Sequence, residues 1–64
     1  MKKYKVKDVL ALLKADGWEL IATKGSHRQF KHPNKKGKVT VNGHATDVLS
    51  QFVLNSIWKQ AGWK

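Results

Sequence analysis

Hydrophobic residues near the start of the chain recur at the spacing of a helix. The repeating positions are Val6, Val9, Leu10 and Leu13. Apolar residues at i, i+3, i+4 and i+7 form one buried stripe on an α-helix. Gly17 follows as a residue suited to end that helix in a left-handed conformation. The pattern therefore predicts a first helix from about Lys5 to Asp16.

The middle of the chain changes to a shorter period. Three segments, WELIATK, HRQFKH and KVTVN, either alternate polar with apolar residues or are rich in strand-forming residues. Gly25-Ser26 separates the first two segments, and the loop PNKKG separates the last two. Short alternating runs bounded by turn formers are typical of strands. We predict three strands in an antiparallel meander.

Alternation along these strands assigns their side chains to two faces, because successive residues point to opposite sides of a sheet. If Phe30, Val39 and Val41 face the core, Arg28 and His32 share the side of Phe30. The opposite face then carries a polar, cationic set. Its predicted members are His27, Gln29, Lys31, Lys38, Thr40 and Asn42.

Helical spacing returns near the end of the chain. The apolar stripe consists of Leu49, Val53, Leu54, Ile57, Trp58 and Ala61. Ser50 is a suitable N-cap, and Gly62 is a suitable residue to end this second helix. The predicted fold class is α+β, in the order α-β-β-β-α, with both helices on one face of a three-stranded antiparallel sheet. We expect residues 1–64 to form a single domain.

Composition narrows the classes of partner. The 64 residues include 13 Lys and Arg against 4 Asp and Glu, for a formal net charge of +9, and no cysteine. The missing thiols exclude disulfides and thiolate metal sites. Such a cationic surface favours a polyanion, with nucleic acid first, an acidic protein second and an anionic membrane third. No apolar run approaches the length of a membrane span, so we expect a soluble, cytoplasmic protein.

His27, directly after Gly25-Ser26, is the residue with the clearest potential for chemistry. An imidazole both accepts and donates a proton near neutral pH, as cleavage of an RNA phosphodiester by its own 2′-OH requires. On residue type alone, a surface histidine without chemistry remains the commoner alternative. His27 and His32 point to opposite strand faces and have no thiolate or dense carboxylate neighbours, so we expect neither a metal site nor a cofactor.

Cations and a tight turn surround His27 in the sequence. Gly25 lets a phosphate approach main-chain N–H groups, and the Ser26 hydroxyl can bind a phosphate or orient the imidazole. The candidate phosphate-binding cations are Lys24, Arg28, Lys31 and Lys38. Lys35 and Lys36, in the segment NKKGK, form either a solvated hairpin tip or an arm that grips the phosphate backbone.

The other histidines and the tryptophans are interpreted mainly as scaffold. His32, before a proline at a strand end, is predicted to be a hydrogen-bonded structural residue. His44 is predicted to be a solvated loop residue. Trp18 and Trp58 are predicted to lie in the core, whereas Trp63 could pack on the sheet edge or contact a partner.

These motifs together resemble the HicA toxins, the mRNA interferases of HicA/HicB toxin-antitoxin pairs. The resemblance runs from about Val6 to Trp63. It rests on Gly17-Trp18, Gly25-Ser26-His27, His32-Pro33, Val39-Thr40-Val41, Ile57 and Gln60-Ala61-Gly62. It implies a fold similar to the double-stranded-RNA-binding domain, ribosome-independent cleavage of mRNA, and an acidic or sheet-bearing HicB antitoxin as partner.

The resemblance also implies a single essential histidine, which maps onto His27. One departure is Phe52-Val53-Leu54, where members of the family often carry a glycine in a GTL-like stretch. This change could alter the start of the second helix or create an apolar contact surface. A non-catalytic RNA-binding module with the same fold remains the alternative function, since it needs only charge and shape.

Overall fold

The computed structural model describes residues 3–63, and it contains the five predicted elements in the predicted order. They are α1 (Val6–Ala15), β1 (Glu19–Lys24), β2 (His27–Lys31), β3 (Lys38–Val41) and α2 (Gln51–Gln60). The strands form one open antiparallel sheet in the order β1-β2-β3. The predicted α+β class and α-β-β-β-α order are thereby confirmed. Residues 1, 2 and 64 of the expected domain lie outside the described range.

Both helices begin with a side chain that binds a free backbone N–H. In α1 the carboxylate of Asp8 accepts the N–H of Lys5 at 2.9 Å. In α2 the hydroxyl of Ser50 accepts the N–H of Val53 at 3.2 Å, which confirms Ser50 as the N-cap. Each helix has ten residues. Within residues 3–63, no helix is long and apolar enough to cross a membrane.

Both helices also end in the same way, at the predicted glycines. After α1, Gly17 has φ +97°, and its N–H donates to the carbonyl of Lys14 at 3.1 Å. The next N–H, of Trp18, donates to the carbonyl of Leu13 at 3.0 Å. This pair of bonds is a Schellman motif. It satisfies the last helical carbonyls and turns the chain toward β1.

The core lies between the two helices and one face of the sheet. Its buried residues are Val6, Val9, Leu13, Trp18, Phe30, Val39, Val41, Leu54, Ile57 and Ala61. Because both helices contribute to this one cluster, they lie on the same face of the sheet, as predicted. The stripe of α2 is narrower than the sequence pattern predicted, since Val53 is exposed. Only the residues of α2 that face the sheet directly are buried in the core.

The segment before α2 is joined to the start of α1 by backbone hydrogen bonds. The N–H of Val6 donates to the carbonyl of Asp47, and the N–H of Leu49 donates to the carbonyl of Tyr4, both at 2.9 Å. Lys5 and Val48 form an isolated antiparallel bridge between these bonds. These bonds hold the starts of the two helices next to each other.

The two edges of the sheet differ. At the β3 edge, the N–H of Thr40 donates to the side-chain carbonyl of Gln60 on α2 at 3.1 Å. At the opposite edge, all six residues of β1 are exposed. A bulge at Ile21 shifts the pairing of β1 with β2. The sheet therefore has one edge held by a helix and one edge open to solvent.

Candidate nucleic-acid interface

His27 stands at the end of the tightest turn in the sheet. Lys24 and His27 pair across β1 and β2, so only Gly25 and Ser26 lie between the strands. Gly25 has φ +60°, whereas Ser26 does not have a positive φ. A two-residue hairpin turn with a positive φ at its first position only is a type II′ turn. The turn therefore places the Lys24 and His27 side chains next to each other on one face.

The Gly25-Ser26 turn is also open on its outer side. A β-carbon added to Gly25 would have no atom within 4 Å, apart from its chain neighbours. The side chain of His27 is exposed. A phosphate can therefore reach the turn N–H groups, the Ser26 hydroxyl and the imidazole from solvent.

The face that carries His27 continues along the sheet in rows set by the strand register. Gln29 pairs with Thr40 on one side and with Ala22 on the other. The next row on this face pairs Lys31 with Lys38. Alternation predicted Gln29, Thr40, Lys31 and Lys38 for this face, and we call this polar surface the open face. Asn42, also predicted for this face, is exposed and borders α2.

Lys31 and Lys38 lie directly opposite each other on neighbouring strands. Like charges in this position repel, and the arrangement is unfavourable unless an anion lies between them. Glu19 pairs with Lys31 from the β1 side and offsets part of this repulsion. The two ammonium groups remain exposed and suited to an anionic ligand. Lys36, in the loop before β3, is exposed as well.

Arg28 does not share the open face with His27. It pairs with Val41 and lies on the core side of the sheet with Phe30, as alternation predicted. Its Nη1 atom donates to the carbonyl of Gly43 at 2.8 Å, and the side chain is half-buried. The guanidinium therefore holds β2 to the loop after β3, on the face opposite the imidazole.

Lys35 is part of a half-buried cluster around Asp16. Its ammonium lies 2.6 Å from Oδ2 of Asp16 and 3.2 Å from the carbonyl oxygen of Ala61. It also lies 5.9 Å from the centre of the Trp18 ring. This ammonium links the end of α1 to the end of α2. Of the two neighbouring lysines predicted to bind RNA, only Lys36 has its ammonium directed to solvent rather than to a carboxylate.

Asp16 binds three donors through one oxygen. Besides Lys35, the indole N–H groups of Trp18 and Trp63 each donate to Oδ2 at 3.0 Å. Hydrogen bonds from the Lys35 ammonium and then from Trp63 hold the pKa of the Asp16 carboxyl below its ordinary value, against a smaller opposing effect of desolvation. Trp63 also packs against Trp58, so it is a structural residue within the chain.

His32 belongs to the same scaffold. Its Nδ1 accepts the N–H of Asn34 at 3.0 Å, so the ring proton is on Nε2, which donates to the carbonyl of Asp16 at 2.7 Å. The ring also packs edge-on against Trp18, with centroids 5.3 Å apart. The predicted structural, hydrogen-bonded role of His32 is confirmed. His44 is exposed in the loop before α2, as predicted.

The departure at Phe52 leaves the start of α2 intact, because Ser50 caps the helix and α2 begins at Gln51. Phe52 itself is 83% exposed. It borders a groove between α2 and β3. Phe52 is therefore an apolar side chain on the surface of a normally capped helix.

Sequence reasoning missed Ala22 as a member of the open face. The signal was available, because a two-residue turn at Gly25-Ser26 fixes the Lys24–His27 pair, and counting back along β1 brings Ala22 opposite Gln29. Ala22 has a small side chain beside a polar row.

Two comparisons with known proteins bear on this site. A family model described as "HicA toxin of bacterial toxin-antitoxin" matches residues 6–63, nearly the whole chain. A comparison with curated proteins gave no match. The matched range includes all five elements, the Gly25-Ser26 turn and the open face.

Proposed function

Because the chain belongs to the HicA toxin family of bacterial toxin-antitoxin systems, we propose that it is an endoribonuclease that cleaves mRNA at the open face. His27 is the proposed catalytic residue, and the reaction uses no metal or cofactor. The proposed protein partner is a HicB-type antitoxin. The observation that supports cleavage best is the exposed imidazole paired with Lys24 at an open turn.

The proposed reaction is an attack of the RNA 2′-OH on the adjacent phosphorus. The His27 imidazole acts as general base and takes the 2′-OH proton, or acts as general acid and protonates the departing 5′-oxygen, and water exchanges the other proton. A charged phosphorane forms between these steps, and preorganised donors stabilise it. Lys24, the Ser26 hydroxyl and the turn N–H groups are the donors that share this end of the open face with His27.

Lys31 and Lys38 would hold a second phosphate farther along the same strand. Lys31 is four residue steps from His27 along β2, so their Cα atoms are about 13 Å apart at the usual rise of a strand. A single-stranded RNA running along β2 can therefore contact both ends of the open face. Lys36, next to β3, extends this cationic end. In this proposal Arg28 and Lys35 have structural roles, because their charged groups bind Gly43 and Asp16.

The direct test compares wild type with His27→Ala on single-stranded RNA, with and without EDTA. The wild type should cleave in both conditions, and His27→Ala should bind RNA but not cleave it. His44→Ala is the matched control, since it removes another exposed histidine. Cleavage by His27→Ala at the wild-type rate would refute the assignment of His27.

A second substitution tests the path of the RNA. Replacing both Lys31 and Lys38 with glutamine should weaken binding and lower the slope of log K against log salt by about 0.7 for each phosphate that the protein no longer neutralises. Lys7→Gln with Lys59→Gln changes the net charge equally on the two helices and is the control. Equal effects from the two pairs would mean that the open face is not the RNA path.

The Lys31–Lys38 pair also favours a second candidate, a non-catalytic RNA-binding module. Such a module needs the cationic face but not the imidazole. It would leave RNA intact at high protein excess, bind it with steep salt dependence, and lose no affinity in His27→Ala. The same cleavage and binding measurements therefore separate the two functions.

A further inference from the structure

The helix-side face of the sheet is not covered out to its β1 edge. Leu20 and Phe30 are register partners on the same face. Phe30 is only 7% exposed, whereas Leu20 is 54% exposed. The layer formed by the helices therefore ends between β2 and β1. Ile21, at the bulge, is exposed as well, so β1 presents two large apolar side chains to solvent.

A groove follows this uncovered margin. It has a volume of about 620 Å³ and lies between α1 and the first two strands. Leu10, Trp18, Leu20 and Phe30 supply apolar walls. The groove is also lined by two cations and one acid, which are Lys14, Arg28 and Glu19. The groove is therefore mainly apolar with a small positive charge, which suits an apolar side chain from an anionic segment.

The backbone of β1 is open along the same margin. Among the hydrogen bonds of residues 3–63, none from a side chain or loop reaches the backbone of Glu19–Lys24, whereas Gln60 binds the opposite edge at Thr40. An edge strand without such cover presents unpaired N–H and C=O groups that another chain can pair with. Recognition by an added strand uses these groups for affinity and alternate side chains for specificity.

We propose that β1 is the docking edge for an extended segment of a protein partner in which acidic and apolar residues alternate. Its backbone pairs with β1, and one of its apolar side chains enters the groove beside Leu20. Its carboxylates lie on the opposite side of the added strand and meet Lys24 on the open face. The charge of +9 on this chain favours such a partner over a second copy, which would bring the same charge to the contact.

Docking at β1 also has a consequence for the RNA site. An added strand lies about 4.8 Å beyond β1 and about 10 Å from β2. Its outward side chains would therefore lie beside Lys24, the register partner of His27. The added segment would compete with RNA for this end of the open face. That competition rests on the proposed function, whereas docking itself does not.

The test measures docking without RNA. The probe is a blocked six-residue peptide of alternating Val and Glu, titrated into the full chain labelled with ¹⁵N. We expect saturable binding, with shifts and slowed amide exchange in Glu19–Lys24. The same peptide with every internal amide N-methylated keeps its charge and side chains but cannot pair as a strand. Equal binding of the two peptides would overturn the proposal.

Two matched pairs of variants locate the contact. Leu20→Lys should weaken peptide binding about tenfold or more, because it removes apolar surface and places a charge where the apolar side chain of the peptide would pack. Leu12→Lys, on α1, adds the same charge at another exposed leucine and should have a much smaller effect. Lys24→Gln should weaken binding about two- to fivefold relative to Lys7→Gln, as expected for an exposed ion pair. Circular dichroism checks that each variant is folded.

Three results would contradict the docking edge. One is a set of peptide-induced shifts centred on Phe52 instead of β1, which would assign the contact to α2. Another is peptide binding that is unchanged in both Leu20→Lys and Lys24→Gln. The third is self-association of the chain alone that Leu20→Lys abolishes, which would make a second copy the occupant. Loss of competition with RNA, with peptide docking intact, would count against the proposed function only.

Discussion

Replacing Gly17 with alanine should destabilise the protein far more than the same change at another glycine of similar conformation. At φ +97° an L-residue is strained, at a cost of about 1–2 kcal/mol. A β-carbon on Gly17 would also lie 2.9 Å from Nε2 of His32. The His32 ring cannot move freely, because Asp16 and Asn34 bind its two nitrogens.

The expected loss is the sum of these two effects. Displacing the ring sacrifices the bond from His32 to the Asp16 carbonyl, worth about 0.5–1.5 kcal/mol. Gly17→Ala should therefore lower the free energy of unfolding by about 2–3 kcal/mol. A domain of this size has a total stability of about 3–10 kcal/mol. The melting temperature should fall by about 10–20 °C.

Gly37→Ala is the matched control for this prediction. Gly37 has φ +83°, and a β-carbon there would have no atom within 4 Å beyond its chain neighbours. Gly37→Ala should therefore lower the free energy of unfolding only by the cost of a positive φ, about 1–2 kcal/mol. Urea unfolding followed by circular dichroism gives both values. In a His32→Ala background, the extra cost at Gly17 should disappear. Equal losses at Gly17 and Gly37, with no coupling to His32, would refute the steric reasoning.

Three further substitutions test the scaffold, with Phe52→Ala as a surface control for the first. Ile57→Ala empties a fully buried position and should cost about 2–5 kcal/mol by urea unfolding, whereas Phe52→Ala on the surface should change stability by less than about 0.5 kcal/mol. Ser50→Ala should cost about 1 kcal/mol by the same measurement, because the first turn of α2 loses its cap. For Asp16→Asn, we expect the stability difference from wild type to be largest near neutral pH. The lowered folded-state pKa of Asp16 stabilises the fold at pH values above the ordinary pKa of 3.8, and this stabilisation disappears as the pH falls through the folded-state pKa. A stability difference between Asp16→Asn and wild type that is equal at pH 7 and pH 3 would contradict this prediction.

The elements of the fold were predictable because their signals are local. Each signal depends on a few neighbouring residues along the chain. Examples are the apolar stripe that ends at Gly17, the cap at Ser50 and the alternation around Phe30. The predicted strand faces were confirmed by the register of Gln29 with Thr40. Local sequence patterns depend on which side of an element is buried, so they predict the elements, their ends and their buried faces.

The contacts around Asp16 were not predictable in the same way. They join it to Lys35 and Trp63, which lie 19 and 47 residues away along the chain. No periodicity records such a contact, and a lysine in a polar loop has the same sequence signal whether or not it binds a carboxylate. For the same reason, alternation placed Arg28 on the core side but could not indicate its bond to Gly43.

The division of β2 into two faces has a consequence for how such toxins diverge. Phe30 and Arg28 support the fold from one side, while His27, Gln29 and Lys31 face the other. If RNA binds the open face as proposed, substitutions at Gln29 or Lys31 change which RNA is preferred at little cost in stability. A partner that pairs with the backbone of β1 would still bind these variants, since main-chain groups do not change with the side chains. An inhibitor of this kind could remain effective while the substrate preference of its target evolves.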